Sequence, residues 1–194
     1  TFVYEFLDMA NPCYICRNPH YPKIALARQM QMLDLTPQRH SPNKEDTMAL
    51  PAVGSMAPTF SLPNQDGRDV SLADHAGKNV LIWFYPRAYG NNELSKPTGS
   101  VFEQDYADKN TVLLGITFSP TEDLKSWRDE VGLTADLLCD ADRSVAIAYG
   151  AAESADQERA TRISVLIGQD GVVLKTYEVS EAEAHTSEVL LDIP

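Results

Sequence analysis

At 194 residues and 43% apolar content, the chain is long enough for one ordinary domain with a sizeable core plus an appendage. No run approaches the roughly 18 apolar residues that a helix needs to cross a bilayer, so no membrane-spanning segment is expected. All of the formal charge of −12 falls in residues 48–194, and so acidic a surface repels phosphate backbones and anionic lipid, which argues against nucleic acid as a partner.

Residues 1–47 read as an N-terminal extension, because prolines recur (Pro12, Pro19, Pro22, Pro37, Pro42) and little in it forms a core alone. Lys23 to Leu35 is its helical candidate: Pro22 starts it, Leu26, Met30 and Leu33 share a face, and Pro37 stops it. A helix this short is marginal alone in water, so it is expected to dock on its own domain or on a partner protein. Phe2, Val3, Tyr4, Phe6 and Leu7 add to that expectation. No charged leader with a short apolar core is visible, and the start at Thr1 reads as a trimmed or processed product. Three cysteines, Cys13, Cys16 and Cys139, are too few for a disulfide framework, which points to an intracellular compartment, cytoplasm or organelle interior.

The second domain is expected over residues 48–194. Gly54 to Leu62, an Asp66-Gly67 turn and Asp69 to Leu72 form an opening hairpin. Val80 to Phe84 is a run of five apolar residues before Pro86, a strand buried on both faces. Ser100-Val101-Phe102-Glu103 is a capping box that predicts a helix to about Asp108, leaving 90–99 as an irregular loop because Pro97 and Gly99 interrupt regular structure. Thr111 to Phe118 is a second apolar strand, and Ser119-Pro120-Thr121-Glu122 caps a helix through Glu130. Asp136 to Asp140 is a short strand, Arg143 to Tyr149 a short helix, and Ile163 to Ile167 with Val172 to Tyr177 a closing hairpin. Ser180 to Glu183 caps a last helix carrying His185. Strands alternating with helices give an α/β domain, with chemistry expected where the buried strand ends.

Phe84-Tyr85-Pro86, the entrance Gly54-Ser55-Met56-Ala57-Pro58-Thr59-Phe60-Ser61-Leu62 and Leu137-Leu138-Cys139-Asp140 together resemble the peroxiredoxins, most closely the bacterioferritin-comigratory or Q-type branch of the thioredoxin superfamily. The resemblance implies a thioredoxin-like central mixed sheet flanked by helices, and a cysteine nucleophile in the pattern Pro-x-x-x-Thr-x-x-Cys. Here that pattern reads Pro86, Gly90, Glu93, so hydroxyl and sulfur are both replaced. Arg162 stands where the family places the arginine that holds the thiolate. Glu93 cannot be oxidised to a sulfenic acid; as a carboxylate it is open to an ion pair with Arg162, to solvent, or to general-base use.

Cys13-Tyr14-Ile15-Cys16 has the spacing of a redox dithiol, but it precedes the domain and sits among prolines. Packed thiols, a disulfide, a zinc site completed by His20 together with His40, and a catalytic pair all remain open. Cys139, beside Asp140 and Asp142, reads as a buried small residue whose acidic setting disfavours thiolate. His185 is assigned to packing or capping. The expectation is a catalytically degenerate peroxiredoxin-like protein, serving as a binding or architectural subunit with residues 1–47 as docking segment and no cofactor. The alternatives are a thiol-dependent peroxidase, an antioxidant oxidoreductase, that uses Cys13/Cys16 or Cys139, and a zinc module at Cys13, Cys16 and His20.

Overall fold

The computed structural model describes residues 49–89, 99–180 and 182–194, without the side chains of 99–102 and 182–184. The extension, the Lys23 to Leu35 helix, Gly90, Glu93, Cys13, Cys16, His20 and His40 lie outside the described residues. A hairpin of β1 (Ser61–Pro63) and β2 (Asp69–Ser71) precedes a five-stranded sheet of order β5-β4-β3-β6-β7. Its strands are β3 (Asn79–Phe84), β4 (Thr111–Thr117), β5 (Asp136–Cys139), β6 (Ile163–Ile167) and β7 (Val173–Glu178). β3, β4 and β5 run parallel, and β6 and β7 are antiparallel to their neighbours. The helices are α1 (Gly99–Asp108), α2 (Thr121–Val131), α3 (Ser144–Ala148) and α4 (Ala182–Asp192). This is the mixed, helix-flanked sheet expected of a thioredoxin-like domain.

The apolar run that marks β3 in the sequence sits at the centre of the sheet, and all six of its residues are buried. Alternation divides it between two cores. Val80, Ile82 and Phe84 pack with Phe60, Leu62, Val145 and Ala146 on the hairpin and α3 side. Leu81, Trp83 and Tyr85 pack with Tyr106, Leu124, Trp127 and Val189 on the side of α1, α2 and α4. Gly115 on β4 makes room for the second core, since a Cβ there would stand 2.5 Å from Cζ2 of Trp83. The N–H of Gly132, with φ of 71°, donates to the carbonyl of Arg128 and closes α2, as a left-handed glycine cap does.

Three local expectations need correction. The strands of the opening hairpin are short, and 54–57 instead run along the start of β7, with Gly54 N–H to Val173 O at 2.8 Å and Ala57 N–H to Gly171 O at 3.0 Å. Pro120, not Ser119, is the N-cap of α2; the Ser119 hydroxyl accepts the Ala88 N–H at 2.9 Å. The Glu103 carboxylate, expected to close a capping box, accepts from Thr134 N and Oγ1 and from Ala135 N, tying α1 to the loop before β5. In both boxes a tertiary donor took the group that sequence spacing assigned to a local cap. At the sheet edge, Asn64 Nδ2 donates to Asp136 Oδ1 at 3.0 Å and Leu137 N–H to Gln65 Oε1 at 2.8 Å, so the hairpin turn covers β5.

Candidate functional site

The carboxyl ends of β3, β4 and β5 meet at one edge of the sheet, where open α/β sheets gather ligands. Beyond Phe84, Tyr85 N–H donates to Ile116 O at 3.2 Å and stays in line with β4. Thr117 and Cys139 are register partners. Because side chains alternate, Tyr85, Thr117 and Cys139 stand in one row across three strands, on the side that α2 covers. The row beneath it is Trp83, Gly115 and Leu137. The Tyr85 ring stacks on Trp83, with centroids 6.3 Å apart, and tilts against Trp127 at 5.5 Å.

This row is polar yet buried. Tyr85 is 1% exposed and Thr117 0%, and neither hydroxyl has a hydrogen-bond partner among the described residues. The indole N–H of Trp83 is likewise buried and unpaired among them. An unsatisfied buried donor costs about 1–3 kcal/mol, so three of them near one another are an unusual concentration. Burial pushes the Tyr85 phenol well above its ordinary value, and the neighbouring Cys139 adds to the shift.

Cys139, 8% exposed, ends β5. Burial pushes its thiol up, the carboxylates of Asp140 and Glu122 push it further, and Arg143 opposes them. The sulfur is therefore a thiol at neutral pH, as the acidic neighbours in the sequence predict. Cys139 also lines an open cleft of about 380 Å³ with Phe60, Leu62, Asp142, Ser144 and Val145. Asp140 is fully buried; its carboxylate accepts the N–H of Ala146 at 2.7 Å and of Val145 at 3.4 Å, anchoring α3. Burial raises its pKa and those two hydrogen bonds oppose the rise.

Arg162 precedes Ile163, which pairs with Phe84, so the structure brings Arg162 and Pro86 to this same edge. The roles open to Glu93, an ion pair with Arg162 among them, and the position of Gly90 fall outside the described residues. The sequence does not single the row out: Tyr85 enters only within Phe84-Tyr85-Pro86, and Thr117 only inside the apolar strand Thr111 to Phe118. Its polar type at a strand end was the available signal.

A second constellation has catalytic residue types but is packed into the fold. His185 Nε2 lies 2.9 Å from Ser164 Oγ, and Glu188 lies 3.9 Å from Nδ1. Ser164 is 1% exposed within β6, so no substrate reaches its hydroxyl, and the His185 ring packs edge-on against Tyr177 at 5.0 Å. His185 packs, as expected. Among the described residues, no group of three or more His, Cys, Asp or Glu side chains is placed to hold a metal ion, and the zinc candidates Cys13, Cys16 and His20 lie outside them.

The sequence profile described as the AhpC/TSA family matches residues 53–176. Peroxiredoxin Bcp of Escherichia coli K12 is 33% identical over 143 residues, spanning 71% of this chain and 92% of that protein. Peroxidoxin BcpB from Mycobacterium tuberculosis superposes with a TM-score of 0.67 at 21% identity, over 74% of this chain and 96% of that one. A Xanthomonas campestris bacterioferritin comigratory protein, whose structure is described in terms of alkyl peroxide reduction activity, gives a TM-score of 0.62 at 18% identity, over 69% and 89%. These relatives overturn the expectation of a catalytically degenerate architectural subunit. That reading took the joint replacement of sulfur at Glu93 and hydroxyl at Gly90, with an interrupted helix start, as the loss of the chemistry, whereas the likeness spans nearly the whole of a named peroxiredoxin and a different thiol, Cys139, stands at the same sheet edge. No helix among the described residues is long and apolar enough to cross a membrane. By its matched profile and its relatives across the domain, the chain belongs to the AhpC/TSA family, among peroxiredoxins of the bacterioferritin-comigratory type.

Proposed function

We propose that the chain is a thiol-dependent peroxide reductase, an antioxidant oxidoreductase that uses one of its own cysteines, Cys13, Cys16 or Cys139, in place of sulfur at position 93. The observation that carries this reading is the 33% identity to peroxiredoxin Bcp across 92% of that protein, together with a cysteine at the carboxyl edge of the parallel strands. The sulfur attacks one peroxide oxygen and the O–O bond breaks. Sulfur is oxidised to sulfenic acid, and the departing oxygen takes a proton and leaves as water or an alcohol. Two equivalents of a thiol reductant then remove the added oxygen as water, restoring the cysteine and forming the reductant's disulfide. Residues 1–47 suit the docking of a protein partner, such as that reductant. The reading needs no metal or organic cofactor and places the protein inside the cell; the acidic balance fits a protein that does not bind nucleic acid.

The test is hydrogen peroxide consumption by the pre-reduced chain with excess thiol, beside a variant with all three cysteines changed to Ser. Consumption clearly faster than in the triple variant is expected, and single replacements then assign the sulfur. Equal rates would sink the reading. If Cys139 carries the reaction, its raised pKa makes the rate climb with pH past the range, near about 8.5, where an ordinary thiol levels off.

A further inference from the structure

The unpaired hydroxyls beside Cys139 define a destination for an oxygen atom. Tyr85, Thr117 and Cys139 hold adjacent places at the ends of three parallel strands and face one core. Trp83 lies in the next row, its ring over Gly115. The buried groups left over there, two hydroxyls and an indole N–H, can all donate, and among the described residues no acceptor answers them. In the reduced protein the thiol is a weak acceptor. One oxygen added to its sulfur would place a strong acceptor beside that sulfur, within the same row. Burial and the neighbouring carboxylates also disfavour the thiolate.

The geometry points to Cys139 as an oxygen-accepting modification site: a hydroperoxide transfers one oxygen to its sulfur, and the hydroxyls of Tyr85 and Thr117 hold that oxygen as a persistent sulfenic acid. The step balances, since the thiol proton and the second peroxide oxygen leave as water or an alcohol while sulfur loses two electrons to the peroxide. The inference rests on reading the chain as a thiol-based peroxide reductase, and it adds where the product oxygen is held.

The experiment uses the full chain with Cys13→Ser and Cys16→Ser, so that Cys139 is the sole sulfur nucleophile. Hydrogen peroxide is applied and removed, and the mass of the peptide containing Cys139 is followed over time. The parent is expected to gain one oxygen slowly and keep it. Tyr85→Phe and Thr117→Val should lose it, or pass on to higher oxides, severalfold faster. Melting temperatures of the two reduced variants should match the parent, because neither hydroxyl has a partner among the described residues. No oxygen gained at Cys139, equal persistence in the variants, or a sharp fall in the reduced melting temperature would each overturn the inference. If the three-cysteine chain consumes peroxide while Cys139 stays reduced, the peroxidase reading survives without it; if nothing depends on cysteine, both fail.

Discussion

The two faces of the sheet have the same strands but differ in how they treat polar groups toward the carboxyl edge. On the hairpin side, Tyr149 is buried and its hydroxyl donates to Pro58 O at 2.7 Å, and Asp140 is buried and takes two backbone N–H groups. On the helix side, Trp83, Tyr85 and Thr117 bury donors that meet no acceptor among the described residues. The first face spends its polarity on holding α3 and the chain before β1 in place. The second leaves a phenol, a threonine hydroxyl and an indole N–H unpaired among the described residues near its carboxyl edge, beside the thiol. A stable fold gains nothing from that arrangement, which is why the row is read as a site.

The largest test of the contrast is whether the helix side is as well packed as its partner. Trp127 is 2% exposed and lies against Tyr85, so Trp127→Ala should lower the unfolding free energy by about 3–5 kcal/mol. Ile82→Ala on the hairpin side should cost about 2–5 kcal/mol. Denaturant melts of both give the comparison. A loss well below 1 kcal/mol for Trp127→Ala would mean that the aromatic stack is loose, and that its unpaired donors reflect poor packing.

A smaller and sharper test sets one tyrosine against the other. Tyr149→Phe removes the donor from the Pro58 carbonyl and should cost about 0.5–1.5 kcal/mol. Tyr85→Phe removes a hydroxyl with nothing to lose and should be neutral or slightly stabilising in the reduced protein. Equal losses would erase the distinction between the faces.

How much of this was legible depends on the range of the interaction. β3 could be read from five consecutive apolar residues, and α2 was placed to within a residue or two at each end, because periodicity and terminal signals are local. The capping boxes at Ser119 and Glu103 were misread because their partners, Ala88 and Thr134, lie 31 residues away. The row of Tyr85, Thr117 and Cys139 needs the register of three strands before its members become neighbours, and no spacing within the sequence carries that. The setting of Cys139 was legible in part: burial, the larger cause of its raised pKa, needs the fold, whereas Asp140 follows it directly in the sequence. The architectural reading failed at a different step: it reasoned from one altered motif, Pro86 to Glu93, to the activity of the whole domain, and the relatives argue against that step.

The smallest expected effect also separates the faces, through histidine. His185 is held on the helix side between Ser164 and Tyr177, and burial lowers its pKa, with Glu188 opposing. A lowered folded value means that the unfolded chain takes up the proton first. The stability that His185 contributes is therefore intact above the ordinary value, near about 6.5, and is lost as pH falls through that value toward the folded one. His75 is shifted in the same direction, also by burial first, so it shares the window. The depressed carboxylates, among them Asp74 and Asp192, act only at lower pH. Melting temperature should fall between about pH 7 and pH 5, and His185→Gln should flatten that fall without abolishing it. An unchanged slope in the variant would put the whole dependence on His75 or on residues beyond the helix side, and would leave the Ser164–His185 contact with no measurable part in holding α4 to the sheet.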